Sequence, residues 1–162
     1  MEPVTTDAFR RAAGRYATGI VVVTAVVEGQ QHAMTVNSFT SVSLDPLLVL
    51  FCAEKIARFH DAVLAAGSWG VSVLGADGEA ASRWFASRGR PLDGQLTGFP
   101  WSPGAVCGAA LLDEAIATLE CQTVSRTDGG DHTVVIGSVL SATRGPEDVA
   151  PLIYYEGRYR TL

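Results

Sequence analysis

Between His32 and Cys52 the chain reads HAMTVNSFTSVSLDPLLVLFC, and no other stretch restricts the fold as tightly. It divides into three parts. His32 to Val36 is short and rich in strand formers. Asn37 to Ser43 is a run of hydroxyl and amide side chains broken by Phe39 and Val42. Leu44-Asp45-Pro46 then turns the chain, because Pro46 confines Asp45 to extended or turn backbone. Leu47 to Cys52 follows as an almost wholly apolar run, short and turn-bounded, which is the pattern of a strand buried on both faces. A polar run between two such strands is costly to bury unless something pairs with it. Solvent does so in an ordinary serine-rich surface loop. A ligand with many acceptors and one flat apolar body does so in a binding site.

The rest of the chain repeats the strand-turn-strand pattern. Thr6 or Asp7 is placed to cap a first helix, with Phe9, Ala12, Ala13 and Tyr16 on one apolar face and Gly19 as its stop. Ile20 to Val27 is a strand, Glu28-Gly29-Gln30 a hairpin connection, and Gln31 to Val36 the return strand. After Cys52 a helical segment runs to about Ala66 with Phe59, Val63 and Leu64 inward. Ser68 to Leu74 alternates as a strand, and Asp77 is placed to cap a helix over Gly78 to Ser87 with Ala81, Trp84 and Phe85 inward. Arg88 to Gly104, which contains Arg90, Phe99 and Trp101, is a long irregular loop of the kind that is often functional. Ala115 to Arg126 is a half-buried strand with Leu119 and Cys121 on one face and Thr118, Glu120 and Gln122 on the other. Thr127 to Gly130 turns the chain, His132 to Leu140 returns it, and Leu152 to Tyr155 is a last strand. Many short strands, hairpin connections and three short helices predict a mainly β, closed or nearly closed antiparallel barrel in a single domain over residues 1–162. The lack of regular crossover helices argues against a doubly wound parallel sheet.

Charge and residue spacing remove several function classes. The formal charge of −5 disfavours a nucleic-acid partner, which needs a clustered basic face. The longest apolar run, Gly19 to Val27, falls short of the ~20 residues that span a bilayer, so no membrane partner is expected. The N-terminus carries Glu2 and Asp7 and lacks a basic-then-apolar signal. Cys52, Cys107 and Cys121 are far apart and form no C-x-x-C pair, which fits buried free thiols in a reducing cytoplasm. His32, His60 and His132 are scattered, so no metal spacing is present. No G-x-G-x-x-G follows a strand, so a nicotinamide cofactor would have to bind without a Rossmann site.

Two constellations remain. Lys55 and Arg58 are either the solvated start of a helix or a phosphate clamp at its N-terminus, where free N–H groups also favour anions. Thr35 to Val42 is either a surface loop or a cradle for a ligand with one flat apolar ring and a polar edge. Small hydroxyls and irregular backbone would serve the ring's polar edge, with Val36 and Val42 against its apolar area.

The order M-T-V-N-S-F-T-S-V-S-L-D-P-L-L-V-L-F-C resembles the flavin-binding segment of the small flavin reductases. These are the reductase components of two-component flavin-dependent monooxygenases, with an FMN-binding split-barrel fold. Three further segments match in order: Tyr16-Ala17-Thr18-Gly19, Gly130-Asp131-His132, and Tyr154-Tyr155-Glu156-Gly157-Arg158-Tyr159. The resemblance implies an antiparallel split β-barrel and an NAD(P)H:flavin oxidoreductase that supplies diffusible reduced flavin to a partner monooxygenase. It implies FAD or FMN, NADH with NADPH as the alternative, and a homodimer. It places Thr35, Val36, Asn37, Ser38, Ser41, Val42, Cys52, Ala53, Glu54, Lys55, Arg58 and Phe85 on the flavin, although helical spacing alone favours a core role for Phe85. It places His132, Tyr155, Gly157 and Tyr159 on the nicotinamide side, with His132 orienting the nicotinamide and no acid or base required. Relatives carry hydroxyl residues near Ala57 and Phe59, which this chain lacks. A non-catalytic flavin-binding module and an amine-oxidising split-barrel flavoenzyme are the rival readings.

Overall fold

Val21, Val22 and Val23 open the most deeply buried strand of the computed structural model, which describes residues 3–162. Glu2 lies outside the described residues. In chain order the elements are α1 (Thr6–Ala13), β1 (Thr18–Gly19), β2 (Val21–Val27), β3 (Gln30–Val36), β4 (Thr40–Leu44), β5 (Leu47–Glu54), α2 (Arg58–Ala66) and β6 (Ser68–Val73). A single 3-10 turn at Ala76–Gly78 leads into α3 (Glu79–Ala86). Then come β7 (Trp101–Pro103), β8 (Ala110–Leu112), β9 (Ala117–Gly129), β10 (His132–Arg144), β11 (Leu152–Tyr155) and β12 (Arg158–Thr161).

Seven strands form one antiparallel sheet in the order β3-β2-β6-β9-β10-β5-β4. β1-β11-β12 and β7-β8 form two smaller antiparallel sheets. The large sheet curls. Val36 of β3 and Val49 and Phe51 of β5 sit near opposite ends of the strand order yet share one buried cluster. Trp69 on β6 meets Phe51 edge-on, with ring centroids 4.9 Å apart, although β9 and β10 separate their strands in the ladder. Phe59 and Val63 of α2 complete this interior. The ladder is unjoined between β3 and β4, which Asn37 to Phe39 connect, so the expected barrel is a split one. Outside it, Ile20 and Val22 pack with Ala81 and Phe85 of α3, Ala110 and Leu112 of β8, and Leu152 of β11.

The structure corrects several expectations. The strand buried on both faces is β2, whereas β5 alternates: Val49, Phe51 and Ala53 point inward while Leu48, Leu50 and Cys52 are half-exposed. No β5 residue belongs to the outer buried cluster that covers β2, so the outer face of β5 is uncovered in the single chain. The polar run is irregular only to Phe39, since Thr40 to Ser43 pair with β5. Helix α1 is capped by Thr5, ends at Gly14 and buries none of its residues; Tyr16 lies beyond it. Asp77 occupies the 3-10 turn, and Gly78 is the N-cap of α3. Glu120, expected on the polar face of β9, is 4% exposed because the backbone N–H groups of Val106 and Cys107 donate to it at 2.8 and 2.7 Å. β9 and β10 extend to Gly129 and Arg144, and the short strands β7, β8 and β12 carry too few residues for a readable period. The β2–β3 and β11–β12 hairpins both turn on residue pairs with positive φ, Glu28 (51°)-Gly29 (78°) and Glu156 (50°)-Gly157 (73°).

Gly137 sits at a register shift of β10, directly beneath Trp69. A Cβ there would lie 2.4 Å from Trp69 Cζ2, inside the fully buried core. Gly137→Ala should therefore lose about 1–3 kcal/mol through overpacking. Its melting temperature should fall by roughly 2–4 °C for each kcal/mol lost. A thermal melt equal to wild type would show that the indole moves aside at no cost.

Candidate active site

The curled sheet leaves a cleft of about 450 Å³ where the end of β3 faces the end of β5 and the loop after α3 closes over both. Its first wall is His32 to Val36 with Asn37 and Ser38. The second is Cys52, Glu54 and Ile56 to Phe59. The third is Phe85 to Arg90 with Gln95, and His132 borders the opening.

Two hydroxyls of the polar run are already engaged in holding these walls. Thr35 Oγ1 donates to the Ser82 carbonyl of α3 at 2.7 Å. Ser38 Oγ accepts from the Cys52 N–H at 2.9 Å and so ties the run to β5. Val36 and Phe85 contribute apolar surface from the protein core, with 5% and 0% exposure. Phe85 also packs on Phe99 at 5.1 Å between centroids, so its core role and its place in the wall coincide.

Positive charge dominates the polar part of the cleft. Arg90 Nη1 donates to the Ser87 carbonyl at 2.7 Å, and Nη2 donates to the Ala33 carbonyl. Its guanidinium lies over the Phe85 ring, 5.8 Å from the centroid, and its buried Nε has no partner. Arg58 Nη1 donates to the Arg90 carbonyl at 3.1 Å. Burial first, and then the neighbouring Arg58, lower the Arg90 pKa. The same two causes, in the same order, lower that of His32, whose buried Nδ1 is also unpartnered. Glu54 Oε1 accepts from Arg88 Nη2 at 2.8 Å. His132 stands opposite Glu54 in the β10–β5 register, and its Nδ1 lies 2.7 Å from Asp131 Oδ1.

The cleft thus gathers Thr35, Val36, Asn37, Ser38, Cys52, Glu54, Arg58, Phe85 and His132 from the sequence-derived set. Others lie elsewhere in the single chain. Ala53 points into the barrel core, and Ser41 and Val42 belong to edge strand β4. The Lys55 ammonium pairs with Asp128 of β9, outside the cleft lining that includes Arg58. Tyr155, Gly157 and Tyr159 belong to the β11–β12 hairpin. Tyr159 meets Ser82 Oγ at 2.9 Å and lies under Arg83, and Tyr155 lies under Arg15. His32, Arg88 and Gln95 are lining residues that sequence reasoning did not assign. The available signal was the irregular Arg88–Gly104 loop, with two arginines spaced two apart at its start.

A family model described as "Flavin reductase like domain" matches residues 13–162. An NADH-dependent FAD reductase of Streptomyces globisporus is 43% identical over 153 residues, covering 93% of this chain and 82% of that relative. The reductase subunit HsaB of a flavin-dependent monooxygenase from Mycobacterium tuberculosis is 35% identical over 152 residues, covering 93% and 79%. BorF, the flavin reductase component of a bacterial two-component tryptophan halogenase, superimposes with a TM-score of 0.91. It is 42% identical to this chain and covered over 98% of both chains.

His32 carries a pH signature. Its folded-state pKa lies below the ordinary 6.5, so the unfolded chain binds its proton more readily. Its contribution to stability is intact above the unfolded value and falls as pH drops through that value toward the lower folded one. Melting curves between about pH 7.5 and pH 5.5 should show an acid-side loss that His32→Asn reduces. Identical acid slopes in the two proteins would assign the loss to other groups.

Proposed function

Because this chain belongs to the flavin reductase-like family, we propose that it is an NADH-dependent flavin reductase whose active site is the cleft between β3, β5 and the loop after α3. The observation that carries this reading is the cleft itself, which combines apolar walls, a polar rim and a concentration of cationic side chains. Its volume suits a small-molecule site. Half-buried Met34 offers apolar surface to an isoalloxazine ring, backed by Val36 and Phe85, and Asn37 offers an exposed amide to its polar edge. Arg58, Arg88 and Arg90 offer charge to the phosphates of FAD or FMN.

Hydride passes from nicotinamide C4 to flavin N5, and the nucleotides carry that chemistry. The protein aligns two flat rings. With Asp131 engaging Nδ1, His132 keeps Nε2 for a ligand at the cleft opening, where it orients the nicotinamide. The reduced flavin then leaves for a separate monooxygenase, in keeping with the role named for HsaB; BorF is likewise named as the reductase component of a two-component system, a tryptophan halogenase.

The homodimer is part of the same proposal. Leu48 and Leu50 of β5 share an outer face with Ile136 and Leu140 of β10; Leu140 is 46% exposed and the other three are half-buried. An uncovered apolar sheet face of this kind fits a subunit contact. The whole chain acts as one domain, because β2 contributes to both buried clusters. Three unpaired cysteines fit a reducing cytoplasm, and among the described residues no helix is long and apolar enough to cross a membrane.

Steady-state NADH oxidation with free FAD or FMN in excess tests the enzyme reading. Many flavins reduced per protein are expected, and a limit of one would mark a binding module. His132→Ala should raise the Michaelis constant for NADH and slow single-turnover flavin reduction by one to two powers of ten, about 1.4–2.8 kcal/mol. Flavin affinity and melting temperature should be nearly unchanged. Wild-type reduction rates in the folded variant would return His132 to a structural role.

A further inference from the structure

Among the cleft-lining residues Glu54 is the one carboxylate, facing three arginines. The three differ in how they are held. Arg90 spends Nη1 and Nη2 on the carbonyls of Ser87 and Ala33, and Arg58 donates to the Arg90 carbonyl. Neither has an acidic partner among the described residues. Arg88 is different: its side chain is 73% exposed, and its ion pair to Glu54 joins the loop after α3 to the end of β5, two separate walls of the cleft. The next residue, Gly89, has φ of 75° and open space where a Cβ would stand, while the turn itself is held by the Arg90 and Arg58 hydrogen bonds, so only the Arg88 side chain is left to an exposed partner.

We infer that Glu54 is an internal counterion that competes with the phosphate of a flavin nucleotide for Arg88, and so sets how tightly phosphorylated flavins are held. This rests on the reading of the cleft as a flavin site. An exposed ion pair contributes little, whereas a guanidinium–phosphate contact can be bidentate and is among the stronger hydrogen-bonded pairs. An entering phosphate therefore displaces Glu54 from Arg88 at low cost. Once displaced, Glu54 is an uncompensated negative charge in the same cleft as the anion. That residual repulsion weakens binding of phosphate-bearing flavins and leaves the ring contacts alone. Such a device suits a protein that must release its flavin.

Titration of wild type, Glu54→Gln and Arg88→Gln with riboflavin and with FMN, at low ionic strength, tests this directly. Glu54→Gln should tighten FMN binding roughly two- to five-fold and leave riboflavin unchanged. Arg88→Gln should weaken FMN roughly ten-fold, again without effect on riboflavin. Thermal melts check folding, and Glu54→Ala supplies the same sign if the amide variant does not fold. FMN affinity that is unchanged or weaker in the Glu54 variants, with normal binding of both flavins to wild type, overturns the inference alone. Equal shifts for riboflavin and FMN also overturn it. A shift in NAD⁺ affinity in place of FMN affinity would overturn it too, by assigning the phosphate to the nicotinamide nucleotide. Failure of both flavins to bind wild type would overturn the flavin reading itself.

Discussion

The burial of β2 on both faces is the constraint on which the rest of the molecule depends. Val21, Val23 and Ala25 belong to the barrel interior, and Val22 and Thr24 face an outer layer with 0% exposure. A strand with two apolar faces needs two coverings. The curled sheet with α2 supplies the first, and α3, β8 and β11 supply the second. The one hydroxyl on β2 itself, Thr24, donates to the Ala110 carbonyl of β8 at 2.6 Å. That satisfies a group otherwise costly to bury and also pins the far end of the loop that begins at Arg88. The cleft is thus a consequence of the core. Its loop wall can approach β3 and β5 only because α3 and β8 are both fastened to β2.

This dependence explains which parts of the fold were legible from the sequence. Val21-Val22-Val23, the glycine hairpin after Val27 and the alternation around Leu119 and Cys121 are local patterns, and each marked a real strand. The short apolar run of β5 predicts burial on both faces, but β2 is an equally β-prone apolar run. Each lies second from an end of the sheet, and only the packing of α3, β8 and β11 on the outer face of β2 tells them apart. Glu120 was read as solvent-facing on parity alone. What buries it is the turn at Val106 and Cys107, whose amides converge on its carboxylate and which no local pattern links to β9. Helix α1 illustrates the opposite error. Its amphipathic spacing is genuine, but a period shows which face is apolar and not whether anything in the same chain covers it.

The site was legible where it follows the chain and obscure where it crosses it. Thr35 to Ser38 are contiguous, and the cleft brings them together with Arg58 and His132. Lys55 looked like a phosphate ligand through its closeness in sequence to Arg58. The β9–β10 hairpin presents Asp128 to it, and in the single chain the ammonium turns to that carboxylate and away from the cleft. Arg88 and Arg90 lie thirty and more positions from Arg58, and only the return of the loop across β3 brings them into one cavity.

Net charge and local field point in opposite directions here, and the difference has a physical use. The chain carries a formal charge of −5, which repels extended polyanions, yet its cleft collects three arginines around a single carboxylate. A cleft with low-dielectric walls focuses field lines, so small anions are drawn to it even when the molecule as a whole is negative. The two adjacent guanidinium groups, Arg58 and Arg90, are held together despite like charge because their donors are fixed on backbone carbonyls. The cost of that arrangement stays uncompensated until an anion arrives, so it is released only on binding. Charge stored in this way favours fast capture of a nucleotide. With the cleft as the proposed flavin site, the Glu54 carboxylate among these arginines favours release, and the two together suit a ligand that is passed on.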